Sequence, residues 1–410
     1  MAFCPVCRSP SITRQRGNYQ RRCNRPARST FCLRSEAASR RRHSMTLPAL
    51  GTLKSEIDTP ALCVDLDVME RNVAAMSQAC RENEIDWRPH SKCHKSPLIA
   101  QKVIDAGAIG MTCAKLGEAE VMAAGGVKDI LIANLIVGPK KVARLVELRR
   151  KCNLVVCVDH MDQARAYSEA MSAADLSLRV IIEVDIGLGR VGVAPGKPTV
   201  EFAKQLSEMP GLTFAGIMGY EGHLLCLDDG EDKRQQIHAA LKILTDTSDQ
   251  IRAAGLPCGI VSCGGTGSFK YSIEAPGITE MQAGGGMFMD AFYRHRCHVA
   301  QWDYALTVVA TIVSRPAPDR AIIDAGRKTM DGNHHMPLVV GRDGIRVTAL
   351  SAEHGALELD PSAQDLRIGD RLELIPGYSD MTCVMHNHFF AFRGDKLEVI
   401  WPLEGRGRLQ

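Results

Sequence analysis

The sequence predicts an α/β protein in which a (β/α)8 TIM-type barrel is followed by a C-terminal all-β domain. Three observations predict it. From about residue 60, short β-rich runs alternate with helix-sized intervals. No strand leads into the Gly-x-Gly-x-x-Gly turn that opens the first helix of a doubly wound dinucleotide fold. Near residue 295 the helices stop, and short strand-like runs follow one another across Gly-Asp, Pro-Asp and Asp-Gly turns.

The elements follow in order. Ala61–Asp65 reads as a strand and Met69–Glu82 as a helix, then Trp87–Ser91 as a strand and 97–106 as a helix. Strands 109–113, 130–133 and 154–158 come next, with helices over 115–124 and 140–149 between them. The pattern continues through strands at 179–184, 214–220 and 260–262. Six or more such strands with helical crossovers make a parallel sheet covered on both faces. The whole stretch is close to the roughly 250 residues that a barrel needs. Beyond it, 304–314, 320–324, 344–349, 372–375, 389–393 and 397–401 read as strands. The domain bounds expected are a basic, disordered extension over 1–44, a lead-in strand region over 45–65, the barrel over 66–294 and the β domain over 295–410.

With 45% hydrophobic and 24% charged residues in 410, the composition is that of a globular protein. A disordered chain, a collagen and a coiled-coil rod are excluded. No apolar run approaches the roughly 20 residues of a membrane span. The net charge of +3 hides a split: residues 1–44 hold eleven Arg, no Lys and one acid, a net +10, which leaves −7 on the rest. A mildly acidic body argues against nucleic acid as a partner. In 1–44, Cys4 and Cys7 have knuckle spacing, but Cys23 and Cys32 do not form a second pair. An extension upstream of a start at Met45, a transit peptide and a zinc knuckle are the readings open there. The remaining eleven cysteines stand singly in apolar strings, as a reducing, cytoplasmic compartment allows.

Reactive groups of a barrel belong at the C-terminal ends of its strands. At the first such position, Trp87-Arg-Pro-His-Ser-Lys92-Cys-His-Lys95 crowds cations beside apolar sequence. Neighbouring cations and partial burial lower a lysine pKa and make its amine a nucleophile toward an aldehyde. A solvated basic loop is the plainer reading. Glu183-Val-Asp-Ile-Gly-Leu-Gly-Arg190 joins acids, a glycine turn and a fixed donor fork. The alternative there is a turn with a surface ion pair. Ser262-Cys-Gly-Gly-Thr-Gly-Ser268 offers amides and hydroxyls to an anion such as phosphate. In the β domain, Pro376-Gly-Tyr-Ser-Asp380 and His386-Asn-His388 mix carboxylate, phenol and imidazole. Such a set can hold a divalent metal, or the two His can share a packed strand face.

These segments, in this order, resemble the fold-type III pyridoxal-phosphate enzymes of the D-threonine aldolase, D-serine dehydratase and 3-hydroxy-D-aspartate aldolase group. The resemblance spans about 55–407 and is carried by Arg88-Pro-His-x-Lys92-x-His-Lys95, Glu183-x-Asp-x-Gly-x-x-Arg190, Gly219-Tyr-Glu-Gly-His223 and Gly264-Gly-Thr-Gly-Ser268. Phe288-Met-Asp290, Ile323-Asp-Ala-Gly326, Glu353-His-Gly355 and Val399-Ile-Trp-Pro402 add to it. It implies an alanine-racemase-like barrel joined to a β domain that completes the active site. Lys92 would bond to the aldehyde of pyridoxal 5'-phosphate, Arg190 would lie near its phenolic oxygen and Tyr220 near its ring. Gly264, Gly265, Thr266 and Gly267 would hold the phosphate together with Gly284 and Gly285.

The activity implied is cleavage of a D-configured β-hydroxy amino acid to glycine and an aldehyde, with Lys92, Tyr378 and Asp380 as catalytic residues. A D-serine-type dehydratase is the nearest alternative, followed by a non-catalytic cofactor-binding protein and a racemase. A homodimer with no membrane partner is expected. Two departures stand out. Where the family has a metal-binding imidazole, this chain has Tyr378, although Asp380, the expected ligand for Mn, Mg or Zn, is kept. A neutral phenol, with a pKa near 10, is a poor ligand. Weak metal binding, help from a group such as His386, and catalysis in which Tyr378 contacts the β-hydroxyl are all open. The tyrosine expected before Phe288 is also missing, with Gly284-Gly-Gly286-Met in its place.

Overall fold

The computed structural model describes residues 47–410. The extension over 1–44, with its transit-peptide and zinc-knuckle alternatives, and residues 45 and 46 lie outside the described residues. The α/β fold class holds. Eight parallel strands run round the first sheet in the order Asp86–Trp87, Glu280–Met281, Ile260–Cys263, Leu212–Met218, Leu178–Glu183, Asn153–Val158, Asp129–Leu135, Met111–Cys113. The ring closes where the Ile109 amide donates to the Trp87 carbonyl and the Thr112 amide to that of Pro89, at 2.9 Å each. Helices cover the strands, so the strands are continuous apolar runs rather than alternating ones: in Asn153–Val158 every residue after the first is buried.

The strand expected over 87–91 stops at Trp87. Pro89 has no N–H for a ladder, and Ser91–Cys93 curls into a 3-10 turn instead. That turn is what presents Lys92. The strand that closes the ring beside it, Glu280–Met281, is two residues long and left no periodic signal.

Ala61–Asp65 belongs to the second sheet, antiparallel to Leu306–Ala317 and parallel to His388–Arg393. Its last residue caps the following helix, Leu66–Glu82: the Asp65 carboxylate accepts the Val68 amide at 3.0 Å. The nine-stranded sheet also takes in Gly355–Leu359 and Leu338–Val339, which the sequence did not separate from loop. It is not purely strand. A five-residue helix, Ser379–Cys383, follows strand Arg371–Ile375 and carries the residues that reach the barrel. Phe288 on the barrel side packs on Phe389 of the sheet at 5.3 Å, and both rings are fully buried. Each such side chain contributes roughly 1.5–3 kcal/mol of burial. Among the described residues no helix is long and apolar enough to cross a membrane.

Candidate active site

A cavity of about 410 Å³ opens at the C-terminal ends of the barrel strands, lined in part by His90, Lys92, Glu183, Arg190, Tyr220, Thr266, Gln282 and Tyr293. The volume suits a small-molecule site, for which 300–1,000 Å³ is typical.

The basic cluster of 88–95 does not act as one group. Arg88 is buried and donates to the Glu280 carboxylate at 2.8 Å and to Asp129. Lys95 is buried against Glu118 at 3.3 Å. His94 Nδ1 accepts the Ser96 amide at 3.1 Å, and burial holds this imidazole down at about 3. Only His90 and Lys92 line the cavity. Burial, with the Lys92 charge, keeps His90 neutral well below the usual imidazole range. Its Nδ1 accepts the Lys92 amide at 3.3 Å and so caps the turn.

The expectation that surrounding cations lower the Lys92 pKa is corrected. The Asp380 carboxylate, 3.3 Å from Nζ, holds the ammonium above the ordinary lysine range and outweighs burial. Attraction at this distance exceeds repulsion from lysines whose charges are already neutralised, as Lys95 is by Glu118.

On the facing side of the cavity, Asp185 accepts the Gly187 and Gly189 amides at 3.0 Å each, which depresses its carboxyl and fixes the glycine turn. Arg190 thereby reaches Glu183 at 3.0 Å and lies 5.6 Å over the Tyr220 ring. Burial raises the Glu183 carboxyl and pushes the Tyr220 phenol up to about 12. The next residue, Glu221, is fully buried and accepts the Ser268 and Ser272 hydroxyls, so it ties the tyrosine loop to the glycine loop 264–268. Gly264 turns with φ +85°, a conformation that favours glycine. Thr266 Oγ1 accepts the Gly286 amide at 3.0 Å and joins this loop to 284–286.

From the second sheet, Tyr378 donates to Asp380 Oδ2 at 2.8 Å, the same oxygen that faces Lys92. Burial and the Asp380 charge push the Tyr378 phenol far above its ordinary value. Neither Tyr378 nor Asp380 lines the cavity; both meet it through Lys92. Two residues to which the sequence assigned no role hold this arrangement. Asp290 accepts both the amide and the hydroxyl of Ser379, at 2.8 and 2.7 Å, and also the Tyr293 amide at 2.8 Å. Tyr293 lines the cavity 5.7 Å from the Tyr378 ring. Its place in Asp290-Ala-Phe-Tyr293, directly after the recognised Phe288-Met-Asp290, was the available signal.

The His pair does not share a strand face. His386 precedes the strand, and its Nε2 is 2.7 Å from the Thr329 carbonyl; only His388 begins it.

Pyridoxal phosphate needs an amine, an anion cradle and a flat slot, and the cavity fits all three. Lys92 supplies the amine. The Thr266 and Gly267 amides donate to no protein acceptor among the described residues. A Cβ on Gly284 would fall 2.5 Å from the His90 carbonyl oxygen, and one on Gly285 would fall 2.6 Å from the Tyr293 ring, so both positions along this wall of the cavity require glycine. A divalent metal fares differently. No three His, Cys, Asp or Glu side chains among the described residues are grouped to hold one, and the neighbour of Asp380 is a protonated phenol.

Residues 64–291 match the family of the alanine racemase N-terminal domain, and residues 305–392 match the family described as "Putative serine dehydratase domain". The 3-hydroxy-D-aspartate aldolase of Paracoccus denitrificans strain Pd 1222 is 35% identical over 373 residues, 88% of this chain and 96% of that one. The crystal structure of D-threonine aldolase from Filomicrobium marinum superposes with a TM-score of 0.86 at 34% identity, over 88% of this chain and all of that one. A D-threo-3-hydroxyaspartate dehydratase variant in a metal-free form superposes with a TM-score of 0.78 at 28% identity, over 86% and 98%.

Proposed function

The chain belongs to the alanine racemase N-terminal domain family, and from that premise we propose how its residues serve a pyridoxal-phosphate-dependent lyase of D-configured β-hydroxy amino acids. The reaction is aldol cleavage to glycine and an aldehyde, as the names of the relatives on both the sequence and the structure side imply. The observation that carries the residue assignment is Lys92, the one lysine among the described residues that lines the cavity, with a carboxylate 3.3 Å away on the opposing domain.

When bound, pyridoxal phosphate supplies an electron sink for the pair left on Cα. Lys92 holds its aldehyde. Thr266 and Gly267 would hold its phosphate through their unpaired backbone amides, with Gly264, Gly265, Gly284 and Gly285 letting the loops approach it closely. Arg190 directs a fixed donor toward its phenolic oxygen, kept in place by Glu183, and Tyr220 flanks its ring. The half-buried imidazole of His90, held neutral, adds no charge that would compete with Lys92. The preferred substrate is of the D-threonine type. A homodimer follows from the family resemblance, and a cytoplasmic setting from eleven free cysteines among the described residues.

Incubating the holoenzyme with D-threonine, L-threonine, D-serine and 3-hydroxy-D-aspartate tests this reading by the products. Glycine plus an aldehyde from the D-substrates is the expected result. Ammonia plus a 2-oxo acid would move the assignment to a dehydratase. Bound cofactor with no product from any of them would leave a cofactor-binding protein.

A further inference from the structure

We propose that a buried hydrogen-bond chain from Arg88 through Glu280 and Ser262 sets the Gln282 amide with its carbonyl toward the cavity, and that this carbonyl accepts the protonated ring nitrogen of pyridoxal phosphate. The proposal rests on the cofactor reading above and deepens it.

The chain runs in one direction. Arg88 has only donors, and its Nε gives one to Glu280 Oε2 at 2.8 Å. Glu280 Oε1 accepts the Ser262 hydroxyl at 2.8 Å. A hydroxyl has one proton, so Ser262 Oγ can only accept at its next contact, where Gln282 Nε2 donates to it at 2.9 Å. The same nitrogen lies 3.9 Å from Met218 Sδ, a weak acceptor. Reversing the amide would set its oxygen against the lone pairs of Ser262, so the network dictates the orientation. All of these polar side chains are buried, where an unmatched contact costs most.

The carbonyl end is what remains. Gln282 lines the cavity. Its Oε1 takes no donor from the described residues, yet it is not enclosed as the orphaned Asp380 Oδ1 is. It is therefore open to the cavity, and a ligand donor satisfies it. The other amide side chain of the cavity, Asn134, is spent at both ends: Nδ2 donates to the Ala114 carbonyl at 2.7 Å and Oδ1 accepts the Leu135 amide at 2.8 Å.

The backbone of Gln282 joins the two loops that would carry the cofactor. Its amide donates to the Cys263 carbonyl at 3.0 Å, just before the glycine loop, and its carbonyl accepts the His90 amide at 3.0 Å, just before Lys92. With the aldehyde at Lys92, the phenolic oxygen toward Arg190 and the phosphate at Thr266 and Gly267, the ring nitrogen is the polar atom of pyridoxal phosphate left without a partner. A carbonyl can meet it only as N–H. A protonated ring draws the electron pair left on Cα more strongly than a neutral one, which suits a lyase. Gln282 touches the cofactor; Ser262 and Glu280 are positioning residues.

The test loads the full chain with pyridoxal phosphate whose ring nitrogen is isotopically labelled. NMR then separates the protonated from the unprotonated ring without any turnover. The wild type should show the protonated form. Ser262→Ala frees the amide to turn its N–H toward the ring and should move the signal to the unprotonated form. A second measurement compares affinity for pyridoxal phosphate with that for its deaza analogue, in which C–H replaces the ring nitrogen. Gln282→Leu should reduce the wild-type preference for pyridoxal phosphate by about tenfold or more, the worth of one hydrogen bond to a charged group. A merely structural loss in either variant would weaken both cofactors alike and leave the ratio unmoved. An unprotonated ring in the wild type, or a signal and a ratio that neither variant moves, would overturn the proposal and leave the lyase reading intact. No cofactor bound by the wild type would remove both.

Discussion

Two lysines on one turn meet different fates. Lys95 and Lys92 each face a carboxylate at 3.3 Å. The partner of Lys95, Glu118, is saturated: it also accepts the Ser91 hydroxyl at 2.8 Å and the Ala114 amide at 2.9 Å. The partner of Lys92, Asp380, keeps one oxygen open and arrives from the other domain. Arg88 with Glu280 and Asp129 repeats the closed pattern deeper in the barrel. Of these three pairs, the one with an open carboxylate oxygen is the one whose lysine lines the cavity. The difference lies in access as well as in hydrogen bonding: the Lys92 side chain is 38% exposed and lines the cavity, and that of Lys95 is 9% exposed.

The sharpest way to break this comparison is to remove each lysine. Lys92→Ala should abolish turnover and the cofactor's lysine-bound absorbance. Lys95→Ala should do the reverse, costing about 3–5 kcal/mol of stability because it strands a buried carboxylate, with cofactor binding retained in the protein that folds. Denaturant unfolding checks the second. Glu280→Ala should cost less, about 1–3 kcal/mol, because Arg88 keeps Asp129 as a partner.

A smaller effect concerns the slot. Gly284→Ala places a carbon against the His90 backbone, and overpacking of about 1–3 kcal/mol should weaken cofactor retention by tenfold or more, read by dialysis and absorbance.

The smallest concerns Asp290, whose carboxyl burial pushes up to about 7 against the pull of the Tyr293 and Ser379 amides. The unfolded value is near 3.9. Its stabilising contribution is therefore complete below about pH 3.9 and is lost as pH rises through about 7. Wild-type Tm should fall relative to Asp290→Asn between pH 4 and 7, and the difference should level off above. A difference that stays flat across that range would contradict the assignment.

Much of the barrel was legible because buried parallel strands are long apolar runs, and Asn153–Val158 is a clear case. Glu280–Met281 was not, since two residues carry no period. The identity of Lys92 was legible through its neighbours in sequence. Its electrostatics were not, because the deciding charge, Asp380, comes from the far end of the chain. The roles of Asp290 and Tyr293 stayed hidden for a related reason: they are defined by Ser379 and Tyr378, which only the tertiary fold brings to them. The His386–His388 spacing misled because a strand boundary falls between the two residues.

Borohydride reduction of the holoenzyme, followed by peptide mapping, tests the central assignment most directly. The reduced cofactor should be found on the peptide containing Lys92, and on Lys92 rather than Lys95 within it. Label on Lys95, on any other lysine, or on none would contradict the distinction between the open and the closed network.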